Sequence, residues 1–588
     1  MQTFQSLLAK KLSEALEKAR MPEAGELTQA TDPRFGDYQT NVALLLGKQT
    51  AENPRAIAEK ICAHLDVDDL CERCVVAGAG FINFTLRLDV IQKRTGDLLR
   101  DERVGVARTE SPRRIVVDFG SPNVAKPMHV GHIRSTVLGD ALARIAQFLG
   151  HEVIRDNHLG DWGTQFGMVI YGWKNRLDRQ ALRQNPLAEI VRIYKKTNEQ
   201  ASTDSKIREA CRQELVKLQS GDEENTAIWK ECVSLSMQDF ERVYQLLDVH
   251  YDLQCGESFY RDRLREVVDH LLKAKIAEIS EGAVVVFFRD DPELAEKPLI
   301  IRKRDGAFNY ATTDLATIDY RVNDLKADSI WYVVGAPQTL HFKQIFAIAG
   351  REGYTVDLRH IIFGSVLGED RKLMKTRSGE NVPLRELLEE ACRRARKIVD
   401  EKNPELSDEE KSEIAEKIGI GAVKYADLSQ YRTTDYIFSW EKMLSLHGNT
   451  APYLQNAYVR IRSIFRKAGE STVATPLWNV QGRAQRKETD HVSVATALTF
   501  AAPAEIQLAK RLCQFAEIVP QVLNGFRPSI LANYLFELAN NFHAFYEACP
   551  VLKSDEPARS SRLSLCYLTA QVLQRGLDLL GIKVPERM

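Results

Sequence analysis

The spacing of hydrophobic positions changes along the chain and divides it into three regions. In the first, apolar residues recur every three or four positions from Leu7 to Leu16, which predicts an amphipathic helix. Further on, VVAGAGFINFTL (75–86) predicts a strand, a glycine turn and a second strand. The polar segment RDERVGVARTESPRR (100–114) then predicts a linker. We therefore expect a small α+β domain over residues 1–100.

The second region opens with a strand, a helix and another strand. IVVDF (115–119) is a short apolar run between loop residues, which is typical of a buried parallel strand. Apolar residues from Ile133 to Leu149 fall on one helical face, and Gly150 stands where a helix C-cap glycine is expected. EVIRD (152–156) predicts the next strand. Together they form a βαβ unit, the building block of a parallel sheet.

A second strand–helix–strand pattern lies far downstream. SIWYVV (329–334) and HIIFGSV (360–366) predict strands, with a helix over TLHFKQIFAIAG (339–350) between them. About 170 residues separate the two halves. This intervening segment has more charged residues than the halves, and its apolar residues more often recur at helical spacing. We predict an open, Rossmann-like α/β domain over residues 110–398 that is split by an insertion at about 170–300.

In the third region, strand signals nearly vanish and long helical patterns dominate. Examples are APYLQNAYVRIRSIFRK (451–467) and LANYLFELANNFHAFYEAC (531–549). The sequence therefore predicts an all-α helical bundle over residues 400–588.

Composition excludes several classes of protein without naming a partner. The chain has 588 residues, 44% hydrophobic and 27% charged, and its 80 basic residues balance 81 acidic ones. The amphipathic N-terminus lacks the apolar core of a signal peptide, and no run is long enough to span a membrane. Ten scattered cysteines favour reduced thiols. We expect a cytoplasmic protein with no membrane association.

One cysteine cluster raises the alternative of a zinc site. Cys62, His64, Cys71 and Cys74 lie within thirteen residues. A structural zinc site has two cleanly spaced ligand pairs, and this cluster does not. Cys62 also falls within an apolar helical pattern. We interpret these residues as packed thiols and expect no metal bound by the protein.

The most informative stretch is SPNVAKPMHVGHIRST (121–136), where the first predicted strand gives way to a helix. Ligands bind at this edge of a parallel sheet, and a helix N-terminus there attracts anions. His129 and His132 share one face of that N-terminus, and Gly131 leaves space for a ligand to approach the backbone. Lys126 adds a positive charge and Pro127 restricts the turn. The alternative is that two surface histidines merely cap a helix.

The HVGH tetrapeptide (129–132) resembles the first signature of class I aminoacyl-tRNA synthetases. The longer frame resembles the arginyl-tRNA synthetase family in particular, in order and over nearly the whole chain. The matching segments are 121–136, NHLGDWGTQFG (157–167), GIGAVKYADLS (419–429), GNTAPYLQ (448–455), LLGIKVPERM (579–588), and the N-terminal FGDYQTN (35–41) and GAGFINF (78–84).

The resemblance implies an arginine–tRNA ligase that uses ATP with Mg²⁺. Arginine and ATP would form arginyl-adenylate and pyrophosphate, and the arginyl group would pass to the terminal adenosine of tRNA(Arg). The α+β domain would touch the outer corner of the tRNA, and the helical bundle would bind the anticodon. We expect a monomer. Another class I synthetase, or a non-catalytic tRNA-binding relative, remains an alternative.

The resemblance also implies catalytic and ATP-binding residues. His129 and His132 would stabilise charge on the phosphates. The second class I signature aligns with LMKTR (373–377), where Thr376 replaces a lysine. The family offers Lys126 as the compensating charge, beside Lys375 and Arg377. The ATP-binding set would be His129, Gly131, His132, Gly335, His341 and Met374.

A guanidinium requires planar, acceptor-rich partners. Tyr310 and Asp314, four positions apart, share a helix face, and Gln338 follows the strand SIWYVV. We expect these three to discriminate the arginine side chain. The complete set that the resemblance implies is Asp118, Ser121, Pro122, Asn123, His132, Tyr310, Asp314 and Gln338. For Asp118, a purely structural role at the strand end is the alternative.

The tRNA contacts rest on the resemblance and on one helix face. Tyr453, Asn456 and Arg460 recur at helical spacing, so an aromatic ring for base stacking lies beside a cation for phosphate. The family usually has an aromatic residue where Asn456 stands, and Tyr453 could instead belong to the core. The predicted set is Phe35, Asn83, Tyr453, Asn456, Arg460 and Met588.

Overall fold

The structure is a computed structural model and describes residues 1–30, 32–375, 382–469 and 498–588. Its N-terminal part is the predicted α+β domain. Four antiparallel strands form a sheet in the order β1-β2-β4-β3, and helices pack against it. The first helix buries Phe4, Leu8, Leu12 and Leu16, largely as its spacing predicts. The elements are α1 (Phe4–Lys18), β1 (Leu27–Gln29), β2 (Tyr38–Thr40), α2 (Val42–Thr50), α3 (Pro54–Cys62), β3 (Cys71–Ala77), β4 (Phe81–Leu86) and α4 (Leu88–Leu98).

The middle of the chain forms a parallel four-stranded sheet with a helical insertion. Its elements are β5 (Arg114–Asp118), α5 (Val130–Phe148), β6 (Glu152–Asp156), α6 (Gln165–Arg176), α7 (Arg179–Gln184), α8 (Pro186–Thr203), α9 (Ser205–Gln219), α10 (Glu223–Leu246), α11 (Leu264–Lys273), β7 (Glu278–Ser280), β8 (Ala283–Val286), β9 (Leu299–Arg302), α12 (Tyr310–Asn323), β10 (Ser329–Tyr332), α13 (Thr339–Arg351) and β11 (Asp357–His360).

The parallel sheet has the strand order β11-β10-β5-β6, which confirms the Rossmann-like fold. Helix α5 crosses from β5 to β6 and lies against the sheet. A Cβ atom at Gly139 would come within 2.3 Å of the Phe119 ring, so glycine is required for this close approach. The insertion is mainly helical, as its spacing predicts. It ends in a small antiparallel sheet, β7-β8-β9, that the sequence interpretation missed.

One strand prediction was wrong in position. HIIFGSV (360–366) predicted the last strand, but β11 covers Asp357–His360. This strand lies at the edge of the sheet and is only partly buried, which allows its polar sequence. The apolar Ile361 follows directly and is buried where the chain leaves the sheet.

The C-terminal part is helical, as predicted. Its elements are β12 (Val366–Leu367), α14 (Leu384–Lys402), α15 (Asp408–Leu428), β13 (Tyr436–Ile437), α16 (Trp440–Met443), α17 (Ala451–Lys467), α18 (Pro503–Cys513), α19 (Phe515–Gln521), α20 (Ser529–Ala548) and α21 (Ala558–Leu579). The expected boundary near residue 400 falls inside α14, which packs closely along α15. The short strands β12 and β13 pair in parallel.

The α+β domain contacts the helical domain through a buried carboxylate. Glu517 in α19 accepts hydrogen bonds from the Gln5 backbone (3.0 Å), the Gln29 side chain (3.0 Å) and the Tyr38 hydroxyl (2.8 Å). Burial raises the pKa of this carboxyl group, and the three donors oppose the rise. Lys510 adds an ion pair to Asp37 at 2.6 Å. The two ends of the chain are therefore joined by buried polar contacts.

Candidate active site

The two signature histidines cap the N-terminus of α5. The Nδ1 atom of His129 accepts a hydrogen bond from the Gly131 backbone at 3.1 Å, and Nδ1 of His132 accepts one from the His129 backbone at 3.0 Å. The ring centroids lie 4.1 Å apart. Because Nδ1 is an acceptor in both rings, the proton of each neutral imidazole is on Nε2. Both half-buried rings therefore cap the helix through Nδ1, and this capping leaves both Nε2–H groups available to donate.

The surroundings of the two rings favour the neutral form. Burial, together with the neighbouring His129, lowers the pKa of His132 to about 3. Burial also lowers the pKa of His129, and the charge of Lys126 acts in the same direction. At neutral pH the pair therefore consists of two uncharged hydrogen-bond donors.

Gly131 is required for a reason that the sequence did not show. A Cβ atom there would lie 2.8 Å from Cε1 of His129. The missing side chain therefore makes room for the His129 ring, whereas the sequence suggested room for a ligand.

The loop between β5 and α5 has strained backbone that buried side chains hold in place. Ser121 and Ala125 have φ angles of 46° and 64°, which non-glycine residues rarely adopt. The Ser121 N–H donates to the Asn157 side chain at 3.2 Å, and the Ala125 N–H donates to the Ser236 hydroxyl at 3.1 Å. The sequence interpretation missed the supporting role of Asn157 and Ser236, because nothing in the sequence pairs them with the distant Ser121 and Ala125.

Pro122 and Asn123 contact the second matching segment. The Gly160 N–H donates to the Pro122 carbonyl at 3.1 Å, and the Val124 N–H donates to the Gly160 carbonyl at 3.0 Å. A Cβ atom at Gly160 would lie 2.4 Å from Oδ1 of Asn123. Pro122 is buried, whereas Asn123 is exposed and accessible to a ligand.

The segment that follows the second signature forms backbone hydrogen bonds beside the two histidines. The Val130 N–H donates to the Val382 carbonyl at 3.0 Å, and the Leu384 N–H donates to the Met128 carbonyl at 2.9 Å. Met374 is half-buried, and Lys375 is exposed. Thr376 and Arg377 lie outside the described residues. Lys126 is exposed, with its ammonium group 5.8 Å from the Tyr194 ring centroid.

Three of the predicted residues meet between α12 and α13. Nε2 of His341 lies 2.6 Å from Oδ2 of Asp314, and the Tyr310 ring is 4.7 Å from the His341 ring. Gln338 is exposed just before α13, and Gly335 precedes it. The resemblance assigned His341 to ATP, whereas here it contacts two residues of the predicted arginine set.

Asp118 has partners within the protein. Its Oδ2 accepts a hydrogen bond from Nη2 of Arg321 at 2.7 Å, and its Oδ1 accepts one from the Ser121 hydroxyl at 3.1 Å. Arg321 also contacts Asp156. The alternative role expected Asp118 to bind backbone amides, whereas its partners here are a buried guanidinium and a hydroxyl group. Its contact with substrate arginine stays a prediction.

Three residues predicted to contact tRNA line one cavity in the helical domain. This cavity of about 720 Å³ is bordered by Asn456, Arg460 and Met588, and by Tyr546, which the sequence interpretation missed. The guanidinium of Arg460 lies 5.7 Å from the Tyr546 ring. Tyr453 is half-buried just outside the cavity, and its hydroxyl donates to Asn540 at 2.6 Å.

The residues predicted in the α+β domain differ in exposure. Phe35 is 47% exposed, whereas Asn83 is buried in β4. The thiols of Cys62 and Cys74 lie 3.8 Å apart, and all ten cysteines are free. Within the described ranges, no three His, Cys, Asp or Glu side chains are placed to hold a metal. In the same ranges, no helix has the length and apolar character needed to cross a bilayer.

Comparisons with known proteins match a family model to each of three successive parts of the chain. The family described as "tRNA synthetases class I (R), catalytic domain" matches residues 95–440. "Arginyl tRNA synthetase N terminal domain" matches residues 2–86, and "DALR anticodon binding domain" matches residues 454–588.

Relatives match over the full length. The arginine–tRNA ligase of Thermobifida fusca is 45% identical over 99% of both chains. That of Synechococcus elongatus is 44% identical over 96% of this chain and 95% of the relative. The arginyl-tRNA synthetase structures from Plasmodium falciparum and Thermus thermophilus cover 100% of both chains, with TM-scores of 0.84 and 0.82 at 28% and 27% identity. The chain belongs to the arginyl-tRNA synthetase family of class I tRNA synthetases.

Proposed function

We propose that the N-terminus of α5, together with the facing ends of α12 and α13, is the site where this arginine–tRNA ligase joins L-arginine to ATP. The reaction releases pyrophosphate, and the arginyl group then passes to the 3′-terminal adenosine of tRNA(Arg). The observation that carries the proposal is the pair of capping histidines, because both present an Nε2–H donor at the positive end of a helix dipole.

In the first step, the arginine carboxylate attacks the α-phosphorus of ATP and pyrophosphate leaves. The protein's task is to hold the reactants and to stabilise charge that develops on the phosphate oxygens. Neutral His129 and His132 donate hydrogen bonds without needing to lose a proton. Lys126, Lys375 and Arg377 supply positive charge for the leaving pyrophosphate. Gly131, Gly335 and Met374 complete the ATP-binding set with His341.

The arginine pocket lies at the carboxyl edge of the sheet. Tyr310, Asp314 and Gln338 recognise the guanidinium, and His341 orients the Asp314 carboxylate through their 2.6 Å contact. Acceptors that only a guanidinium can satisfy reject lysine, because an acceptor that the bound substrate covers but does not pair with is costly. The backbone and side chains of the strained loop hold the amino-acid end, through Asp118, Ser121, Pro122, Asn123 and His132.

The other two regions bind tRNA(Arg). Residues 1–100 contact its outer corner through Phe35, which is exposed, and only indirectly through Asn83, which is buried in β4. The domain from about residue 400 binds the anticodon around the 720 Å³ cavity, through Tyr453, Asn456, Arg460 and Met588. An exposed cation beside an aromatic ring suits single-stranded bases and their phosphates.

We further propose a cytoplasmic monomer that takes ATP as its Mg²⁺ complex. Mg²⁺ binds phosphate oxygens and reduces their charge when it is present. The proposed catalytic domain covers residues 110–398 and contains an insertion at about residues 170–300.

The test is ATP–pyrophosphate exchange with the full chain, with and without tRNA(Arg). We expect exchange with arginine and none above background with lysine or glutamate. Exchange with a different amino acid would instead make the chain another class I synthetase. No exchange with any of them, in the presence of tRNA that binds, would make it a non-catalytic tRNA-binding relative.

A further inference from the structure

Three neighbouring strands place one side chain each in a row at the carboxyl edge of the parallel sheet. Tyr332 at the end of β10 lies opposite Asp118 at the end of β5. Asp118 in turn lies opposite Asp156 at the end of β6. The row therefore crosses the edge of the sheet where the strained loop of the candidate active site begins, since β5 ends at Asp118.

A single guanidinium from α12 contacts all three members of the row. Nη2 of Arg321 donates to Asp118 at 2.7 Å and to Asp156 at 2.8 Å, and its Nε lies 3.2 Å from the same Asp156 oxygen. The guanidinium carbon is 5.3 Å from the Tyr332 ring centroid. Arg321 is completely buried, and Asp156 is as well. A charge at this depth requires the two carboxylates, and each of them requires the guanidinium.

The helix that carries Arg321 also carries the residues assigned to substrate recognition. Asp314 and Arg321 are seven positions apart, which is close to two turns, so they project from one face about 10 Å apart along the axis. Tyr310 begins the same helix and contacts His341 together with Asp314. Any sliding or rotation of α12 against the sheet would therefore move Tyr310 and Asp314 relative to the bound amino acid.

We propose that Arg321 is a positioning residue for arginine recognition. It fastens α12 to the ends of β5, β6 and β10, and so holds Tyr310 and Asp314 at a set distance from Asp118. The inference rests on the proposed function, because it concerns the arginine pocket of that site. Arginine is suited to this role because Nη2 donates to both carboxylates while Nε and the planar guanidinium fix the direction of those bonds against Asp156 and the Tyr332 ring. A lysine ammonium group could reach the carboxylates but would not reproduce this planar arrangement.

The chain offers a matched control in another buried arginine. Nε of Arg134 lies 3.0 Å from Oδ2 of Asp427, both residues are almost fully buried, and the guanidinium is 5.2 Å from the Tyr436 ring. This group joins α5 to α15 and includes none of the residues assigned to arginine recognition. A variant here reports the cost of disturbing a buried ion pair without moving α12.

The experiment compares Arg321→Lys with Arg134→Lys. Thermal unfolding is measured for both variants. Their KM values for arginine and for ATP are measured by pyrophosphate exchange in the presence of tRNA. We expect Arg321→Lys to raise the KM for arginine about 10-fold or more and to change the KM for ATP by less than about two-fold. Arg134→Lys should lower Tm without this selective rise.

Two results would overturn the inference. One is an Arg321→Lys protein whose KM for arginine stays within about two-fold of the parent. The other is a rise in both KM values together, as expected from general loosening. If Arg321→Lys does not fold, Asp156→Asn provides the same test, because it weakens one half of the contact and keeps the charge of Arg321. An unchanged KM for arginine in folded Asp156→Asn would also refute the inference.

Calorimetric binding of free arginine separates this inference from the proposed function. A parent protein that binds arginine without supporting exchange would contradict the proposed reaction only. Equal arginine affinities for the parent and Arg321→Lys would contradict the positioning role only.

Discussion

The histidine end of α5 and the cavity in the helical domain hold their candidate functional side chains in different ways. At α5, each imidazole is fixed by a hydrogen bond from the backbone, and the preceding loop is held by buried side chains. Around the cavity, Arg460 is exposed and Tyr546 is 38% exposed. The side chains at α5 are therefore held in place before a ligand binds. The exposed side chains around the cavity can change conformation when a ligand binds.

The difference follows from what each region is expected to do. Stabilising charge in a transition state depends on donors that need no rearrangement during the reaction. Recognising an unpaired nucleotide depends on stacking and charge, which tolerate movement of exposed side chains. The comparison therefore predicts large, position-specific effects at α5 and smaller, more uniform effects at the cavity.

The largest effect is expected from His129→Asn. Asparagine is a good helix N-cap and can accept the Gly131 N–H, but it lacks a donor at the position of Nε2. We expect Tm to stay close to that of the parent, while the rate of pyrophosphate exchange falls about 100-fold or more.

His64→Ala is the control, because His64 is exposed in the α+β domain and should leave both quantities unchanged. A His129→Asn protein with full activity would leave helix capping as the only role of this ring.

A smaller effect is expected from Arg460→Ala. Losing this cation beside Tyr546 should raise the KM for tRNA(Arg) about 5-fold to 10-fold and reduce the salt dependence of binding. The maximal exchange rate at saturating tRNA should be retained, because the site at α5 is intact.

The matched control for this variant is Arg393→Ala. Arg393 is exposed on α14, pairs with Glu390 and does not line the cavity. An equal rise in the KM for tRNA(Arg) in the two variants would mean that tRNA binding depends only on the total charge of the protein. The cavity would then not be a specific tRNA-binding site.

The last effect concerns stability and its dependence on pH. The pKa of His132 in the folded chain is about 3, below its ordinary value of 6.5, so the unfolded chain takes up a proton first as pH falls. The contribution of His132 to stability is therefore complete above about pH 6.5 and is lost as pH falls towards 3.

His132→Asn, which cannot titrate, isolates this contribution. Between about pH 7 and about pH 5, the parent should lose up to about 1.4 kcal/mol per pH unit more unfolding free energy than the variant does. Denaturant unfolding at several pH values measures the difference, and parallel curves for the two proteins would exclude the linkage.

Sequence patterns were sufficient where one element or one short segment carries the signal. The spacing around α1, the strand β6 and the helical third region all predicted elements that the structure contains. Edge strand β11 was misplaced, because its partly buried and mostly polar residues lack the apolar run of a central strand, whereas the apolar Ile361 that follows it is buried.

By itself, the sequence determined the three regions, the family and the two histidines at the start of α5, because helical spacing and local motifs are encoded by neighbouring residues. Tertiary structure alone decided that Asp118 pairs with Arg321, 203 positions away, that Asn157 and Ser236 support the strained loop, and that Tyr546 joins Arg460 at the cavity. These contacts form only when distant elements pack together. Buried charges and backbone donors must then find partners, because leaving them unpaired inside the protein is costly.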